Sequence, residues 1–176
     1  AARYLAALGT EQAAIELKGF LDSGDGFTAN IGVAVAIAAE MGPVKLVAVL
    51  TEFDKLGDYL TDAGRIQAFA NALTALEPAQ SAKVLVATRA GQTLAVLKAM
   101  KNEDIAAILE AVSAMDQNSY TQEFIQKIKD GLAGVSAERL ANIVESDKMS
   151  VATAVKLLKS LKVSDAVKLD AVLTKL

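Results

Sequence analysis

The chain has 176 residues, enough for one sizeable hydrophobic core or for two small lobes that share one. Apolar residues make up 53% of it and charged residues 22%, which excludes a disordered chain. The net charge of −3 argues against nucleic-acid binding, and the lack of Cys and His excludes disulfides, thiolate chemistry and histidine bases.

Helix-start and helix-stop residues recur along the first half of the chain. Thr10 is expected to cap a helix that runs to about Asp22, and the Gly-containing segment 22–26 is expected to be a loop. Further starts are predicted at Thr28, Pro43, Asp62 and Pro78, and Gly91 is expected to precede another helix.

The second half shows clearer apolar stripes at helical spacing. Ile105, Ile108, Leu109 and Val112 form one such stripe, and residues 119–122 resemble a capping box for a helix that Gly131 is expected to follow. Ser136, Ser150 and Ser164 are predicted caps of the last three helices. With no convincing strand, the pattern predicts an all-α fold, either a compact multi-helix bundle or a short irregular α-solenoid of helix pairs.

A weak internal repeat supports the solenoid interpretation. When Leu73, Leu97 and Leu132 are aligned, an apolar residue follows each three positions later, and a second apolar group follows after a polar turn. That group is Ala82-Val84-Leu85, then Ala106-Ile108-Leu109, then Ala141-Ile143-Val144. The repeating unit would be a helix, a turn and a second helix, although chance matching among Ala- and Leu-rich helices explains the pattern equally well.

The segment Met100-Lys101-Asn102-Glu103-Asp104-Ile105-Ala106-Ala107-Ile108-Leu109 resembles a known helical repeat. The repeat is that of the N-terminal domain of bacterial magnesium transporters and of the middle region of the flagellar motor switch protein. The resemblance covers residues 64–146 and implies a right-handed stack of helix pairs used for contacts between proteins. It assigns no functional residue here, and the N-terminal third of the chain departs from it.

No catalytic or metal-binding pattern is found among the polar residues. Asp54 and Asp58 lie four residues apart, and Glu103 and Asp104 stand in a predicted first turn, but neither pair falls inside an apolar stripe as a buried metal site requires. The loop 22–28 fails as a calcium loop, because Leu21 and Gly32 occupy the first and last ligand positions. We therefore expect no enzyme activity, no metal and no cofactor.

Two segments are candidate interaction surfaces. Residues 32–39 are apolar on almost every side, which favours the central helix of the N-terminal lobe. If exposed, this segment would be the best candidate for an interface or an apolar ligand groove. The C-terminal pair 150–176 carries the stripes Val151-Ala154-Val155-Leu158 and Leu169-Val172-Leu173-Leu176 beside several lysines. We expect Lys156, Lys159, Lys162, Leu169 and Leu173 to contact an acidic partner, unless both stripes simply close the core.

The longest apolar stretch, residues 31–50, contains Glu40, Gly42, Pro43 and Lys45, and so predicts two buried helices rather than a transmembrane segment. The start at Ala1-Ala2-Arg3 fits a fragment or a processed mature form.

We divide the chain into an N-terminal helical lobe, residues 1–62, and a repeat-like lobe, residues 63–176, within one continuous domain. The function expected is that of a non-enzymatic scaffold or adaptor that contacts other protein subunits. It would be a peripheral subunit of a larger assembly that reaches a membrane only through a partner. The alternative is a carrier whose helices enclose a lipid or pigment.

Overall fold

The computed structural model describes residues 2–24, 26–115, 122, 126, 130–132, 134–160 and 170, and within these it contains helices and no strand. This confirms the all-α prediction. The bounded helices are α1 (Ala2–Ala7), α2 (Thr10–Asp22), α3 (Phe27–Ala39), α4 (Pro43–Lys55), α5 (Ala63–Thr74), α6 (Pro78–Ala87), α7 (Ala90–Ala99), α8 (Asn102–Ser113), α9 (Ala137–Val144) and α10 (Val151–Ser160). None of these helices is long and apolar enough to cross a membrane.

The helices pack with their second neighbours along the chain, which produces two layers. In the first layer α5 lies between α3 and α7; in the second layer α2, α4, α6, α8 and α9 follow one another. Across the layers, α3 packs against α2 and α6, and α5 also contacts α6. Successive helix pairs therefore stack on one another, which is the arrangement of an α-solenoid. The α3–α5 and α4–α6 contacts cross the predicted lobe boundary at residue 62.

One backbone conformation recurs at the residue that precedes six of the described helices. These residues are Gly9, Gly42, Glu77, Arg89, Lys101 and Ser136, with φ between −58° and −74° and ψ between 141° and 157° in every case. Arg89 precedes α7 of the first layer, and the other five precede second-layer helices. This extended residue breaks the helical path once, so the next helix starts in a new direction. Pro43 and Pro78 stand directly after it, where their missing N–H has no helical partner to lose.

Three of these residues follow an apolar residue of the internal repeat predicted from the sequence, namely Leu76, Met100 or Val135. The backbone N–H of Leu76 donates to the carbonyl oxygen of Leu73, and that of Val135 to Leu132, both at 3.0 Å, whereas that of Met100 donates to Val96 at 3.1 Å. The three aligned groups on the following helices are all buried. The second part of each aligned unit is thus a buried helix, whereas the helix that would begin the third unit lies largely outside the described residues, so the repeat stays a prediction.

Helix α6 is the most enclosed of the described helices, because it has α4 and α8 on its two sides and α3 and α5 across the layers. Six of its residues and the following Thr88 are buried: Ser81, Ala82, Val84, Leu85, Val86, Ala87 and Thr88. Residues 32–39, expected to form the central helix of the N-terminal lobe, are covered on one side only: Ala34, Val35, Ala38 and Ala39 are buried, whereas Gly32, Val33 and Ala36 are exposed.

Side chains from distant segments close two helix ends. Lys45, on α4, donates to the carbonyl oxygen of Leu8 after α1. Arg139, on α9, donates to the carbonyl oxygens of Leu97 and Lys98 at 3.0 and 2.8 Å and also to that of Met100. Helix ends carry unpaired carbonyl groups and partial negative charge, so a cation there stabilises both.

Several predicted boundaries shift by a residue or more. Gly9 and Gly26, not Thr10 and Thr28, precede α2 and α3. Gly91 lies inside α7, and Gly131 is helical and buried rather than beyond a helix end. The predicted capping box at 119–122, apart from the helical Gln122, and the cap at Ser164 lie outside the described residues.

Candidate interaction surfaces

Helix α10 is attached to α8 through a cluster of hydroxyl groups. The Ser113 Oγ lies 2.8 Å from the Thr153 Oγ1, and the Ser150 Oγ donates to the same Thr153 atom at 3.1 Å. Ser150 is the N-cap that the sequence predicted, because its Oγ accepts from the backbone N–H of Thr153 at 3.2 Å. A polar cluster thus holds the first turn of α10 in place.

Glu110 completes this attachment from the side of α8. Its Oε2 accepts a hydrogen bond of 2.9 Å from the backbone N–H of Ser150. That bond, together with hydrogen bonds from the side chains of Thr153 and Ser150 and the charge of Lys156, lowers the pKa of Glu110 below its ordinary value. The docked position of α10 therefore favours the ionised form of Glu110.

The face of α10 that turns toward the protein differs from the predicted stripe. Thr153, Ala154 and Leu157 are buried, whereas Val151 is 81% exposed and Val155 41% exposed. Val151 and Val155 therefore do not close the core, although Ala154 of the same stripe does, and the alternative that the whole stripe closes the core is wrong for these two valines.

Two of the predicted contact lysines lie beside these valines. Lys156 and Lys159 are both exposed on α10. Lys162, Leu169 and Leu173, the other predicted contact residues, lie outside the described residues, as does the stripe that begins at Leu169. What the structure describes is an apolar pair of valines with two cations next to it.

A second exposed apolar surface runs along α3. Five exposed, uncharged residues at helical spacing form this surface, which we call the α3 face. They are Thr28, Ala29, Gly32, Val33 and Ala36. Val33 is 54% exposed. The opposite side of the helix, with Ile31, Val35 and Ala38, is buried. The segment thus fits the less favoured of the two interpretations of the sequence, that of an interface candidate.

Charge is divided unevenly between the two layers. Helices α3, α5 and α7 contain no Asp or Glu, and their cations are Arg65 and Lys98. The second layer carries many carboxylates: Glu11, Glu16, Asp22, Glu52, Asp54, Glu103, Asp104, Glu110 and Glu138. The exposed residues Gln67, Asn71 and Thr74 of α5 are also uncharged, and Gln67 donates to the carbonyl oxygen of Ala99 on α7. The bounded helices of the first layer therefore contain no carboxylate, although Glu40 and Asp62 stand at the ends of α3 and α5.

The carboxylates of Asp54 and Asp58 are joined by Arg89. Its Nε lies 2.9 Å from the Asp54 Oδ2, and its Nη2 lies 2.5 Å from the Asp58 Oδ1. Burial raises the pKa of Asp54, against the opposing effect of Arg89, and its Oδ1 has no hydrogen-bond partner among the described residues. Burial also raises the pKa of Tyr59 far above its usual range, with the Thr88 side chain as hydrogen-bond partner. This cluster clamps the connection after α4 to the connection before α7.

The other polar candidates have structural surroundings. Among the described residues, no three acidic side chains lie close enough together to hold a metal ion. The loop before α3 is held by Asn30 of α3, whose side-chain amide donates to the carbonyl oxygens of Phe20 and Ser23 at 2.9 and 2.7 Å. Gly26 there has φ of 83°, which other residues rarely adopt.

An apolar void of about 20 Å³ lies between the layers in the N-terminal part. Its lining includes Leu17, Ile31, Val35, Phe53 and Phe69. Bound small molecules ordinarily occupy roughly 300–1,000 Å³, so a lipid or pigment would have to push these helices apart.

Comparisons with family models, with curated proteins and with solved structures find no match to this chain. The resemblance of residues 64–146 to the magnesium-transporter and motor-switch repeats stays a prediction.

Proposed function

We propose that this chain is a non-enzymatic helical scaffold or adaptor, and that α10 is one of the surfaces with which it binds another protein. The observation that carries the proposal is the exposure of Val151 and Val155 next to Lys156 and Lys159. Exposed apolar side chains with a charged rim are typical of contact sites between proteins.

The position of α10 in the stack supports this role. The valines are open although Thr153, Ala154 and Leu157 already attach the helix to α8. The lysines fit an acidic partner, because opposite charge speeds encounter and lowers the energy of the correctly oriented complex. The same stacked architecture gives other proteins a long, rigid surface on which to assemble.

The proposal is tested with the full chain, as wild type and as the double variant Lys156→Glu/Lys159→Glu. Both are used as bait in extracts of the source organism at low and at high salt. We expect the variant to lose partners that the wild type retains at low salt, and high salt to weaken the wild type in the same way. Arg3→Glu/Lys101→Glu is the matched control, since it makes the same change in net charge at two exposed cations elsewhere.

Equal recovery of the same partners by the wild type and the α10 variant would exclude α10 as the contact. A wild-type chain that recovers no protein partner under any of these conditions would contradict the scaffold function itself.

A further inference from the structure

The connection between α4 and α5, residues 56–62, places an aromatic ring inside the protein. It turns at Gly57, whose φ of 118° is a backbone conformation that other residues rarely adopt. The Tyr59 ring then packs edge-on against Phe53, with the ring centres 4.9 Å apart, and against Phe69 at 6.2 Å. All three rings line the apolar void between the layers. Movement of Tyr59 away from the other two rings would therefore open this void.

The Asp54 carboxylate stands beside this connection with one oxygen paired and one unpaired. Its Oδ2 lies 2.9 Å from the Arg89 Nε, whereas its buried Oδ1 has no hydrogen-bond partner among the described residues. The side chain is 15% exposed and lies in the last turn of α4, where the helix carries partial negative charge. A buried acceptor without a partner loses the hydrogen bonds that water would give it. The closed connection is therefore less favourable for ionised Asp54 than an open, hydrated one.

The charges around Asp54 do not remove this penalty. Burial and the charge of Asp58 raise the pKa of Asp54 above its ordinary value of 3.8, although Arg89 opposes them. Tyr59 is the other titratable group in the cluster. A carboxyl group whose pKa is higher in the closed form than in water binds its proton more tightly when closed, so uptake of that proton stabilises the closed form. The helices packed against α4 carry these further charged groups: Glu11, Glu16, Lys18 and Asp22 on α2, and Lys83 on α6.

We propose that residues 56–62 form a latch over the aromatic rings, which a proton on Asp54 holds closed and which ionisation of Asp54 loosens. In the open form the Oδ1 of Asp54 reaches water, and Tyr59 leaves the rings of Phe53 and Phe69. The bridge through Arg89 does not prevent this motion, because its contact to Asp58, which is 66% exposed, gains little from burial. The latch thus closes as the pH falls, and it is independent of the contact proposed for α10.

Labelling of a cysteine in the latch measures its opening, since the chain contains no cysteine of its own. Leu60 is 8% exposed, so the thiol of Leu60→Cys reacts with a pyridyl disulfide only when the latch opens. Each rate is divided by that of the same chain unfolded in urea at the same pH. Between about pH 7.5 and about pH 4.5 we expect the corrected rate to fall at least about threefold. Leu85→Cys, at a fully buried position of α6, reports global unfolding and should react more slowly at both pH values.

Two substitutions in the Leu60→Cys chain separate Asp54 from other carboxylates that titrate in acid. Asp54→Asn has no charge to hydrate, so its labelling should be slow at both pH values. Asp58→Asn removes the other carboxylate that Arg89 contacts, and it should keep the fall in acid. Equal corrected rates at the two pH values before either substitution overturn the proposal, as does a fall that persists in Asp54→Asn.

Urea unfolding reads the same proton without a cysteine. The folded chain binds the Asp54 proton more tightly than the unfolded chain, so wild type should gain stability relative to Asp54→Asn as the pH falls from about 7.5 to about 4.5. A loss relative to Asp54→Asn, or no change, would show that the closed form does not favour the protonated carboxyl group and would overturn the latch.

Discussion

The Nε of Arg139 donates a hydrogen bond of 3.0 Å to the Oδ1 of Asn102, 37 residues earlier in the chain. The same guanidinium group closes the end of α7, so one side chain joins α9 to the connection between α7 and α8. Two consecutive helix pairs are therefore linked by a polar contact as well as by apolar packing.

Arg139→Met should lower the free energy of unfolding by about 1–3 kcal/mol, because it leaves carbonyl groups at a helix end without a charged donor. The measurement is urea unfolding followed by circular dichroism. Arg3→Met, on the exposed side of α1, is the control and should stay within about 0.5 kcal/mol of wild type. Equal effects of the two substitutions would show that Arg139 does not hold the helix pairs together.

Leu85→Ala should be among the most damaging single substitutions. Leu85 is fully buried in α6, the helix enclosed by four others, and its truncation leaves a cavity that costs about 2–5 kcal/mol. Val44→Ala, at a position 80% exposed, should change stability by less than about 0.5 kcal/mol. Chemical unfolding of both variants checks the prediction, and a loss for Leu85→Ala below 1 kcal/mol would contradict the central position of α6.

Glu110 should make stability depend on pH in acid. Its pKa is lower in the folded chain than in the unfolded chain, so its contribution is complete above the ordinary value of 4.5 and is lost as the pH falls through the folded pKa. Urea unfolding at pH 6 and pH 3.5 should show a smaller loss for Glu110→Gln than for wild type. An identical loss in both chains would mean that the carboxylate does not attach α10.

Gly131→Ala and Gly19→Ala should have opposite effects. A Cβ at Gly131 would stand 2.9 Å from the Cδ1 of the fully buried Leu97, so we expect a loss of about 1 kcal/mol. Gly19→Ala, with free space around it, should gain about 0.5–1 kcal/mol from helix propensity. Thermal and urea unfolding of the two variants measure both effects, and a gain for Gly131→Ala would show that Leu97 moves aside freely.

Local signals in the sequence predicted most helix starts, since Pro43, Asp62, Pro78 and Ser136 act through their own backbone and nearest turn. The Asp62 Oδ1, for example, accepts from the backbone N–H of Arg65 at 2.9 Å, as the cap prediction implies. Apolar composition did not predict which sides of α3 and α10 are covered. Which side of a helix becomes buried depends on which other helices pack against it in the stack. A short stretch of sequence does not contain this information.

The polar links between distant segments were also beyond the reach of sequence patterns. Arg89 and Arg139 have no partner at helical spacing that would single them out, because their carboxylate and carbonyl partners come from other helix pairs. The charge difference between the layers can be derived from the sequence once the helix bounds and the layer of each helix are known. Only then can Asp and Glu be counted separately for each layer.

The connections that precede α4, α6 and α8 bear on how the chain folds. Each joins helices that are adjacent in sequence, and each resulting pair packs mainly on the pair before and the pair after it. Contacts between residues close in sequence need little loop closure, so a chain of this kind has a low contact order and reaches its native state quickly. We therefore expect that no single pair is an obligatory nucleus, and that structure beginning at any of them extends along the stack in both directions.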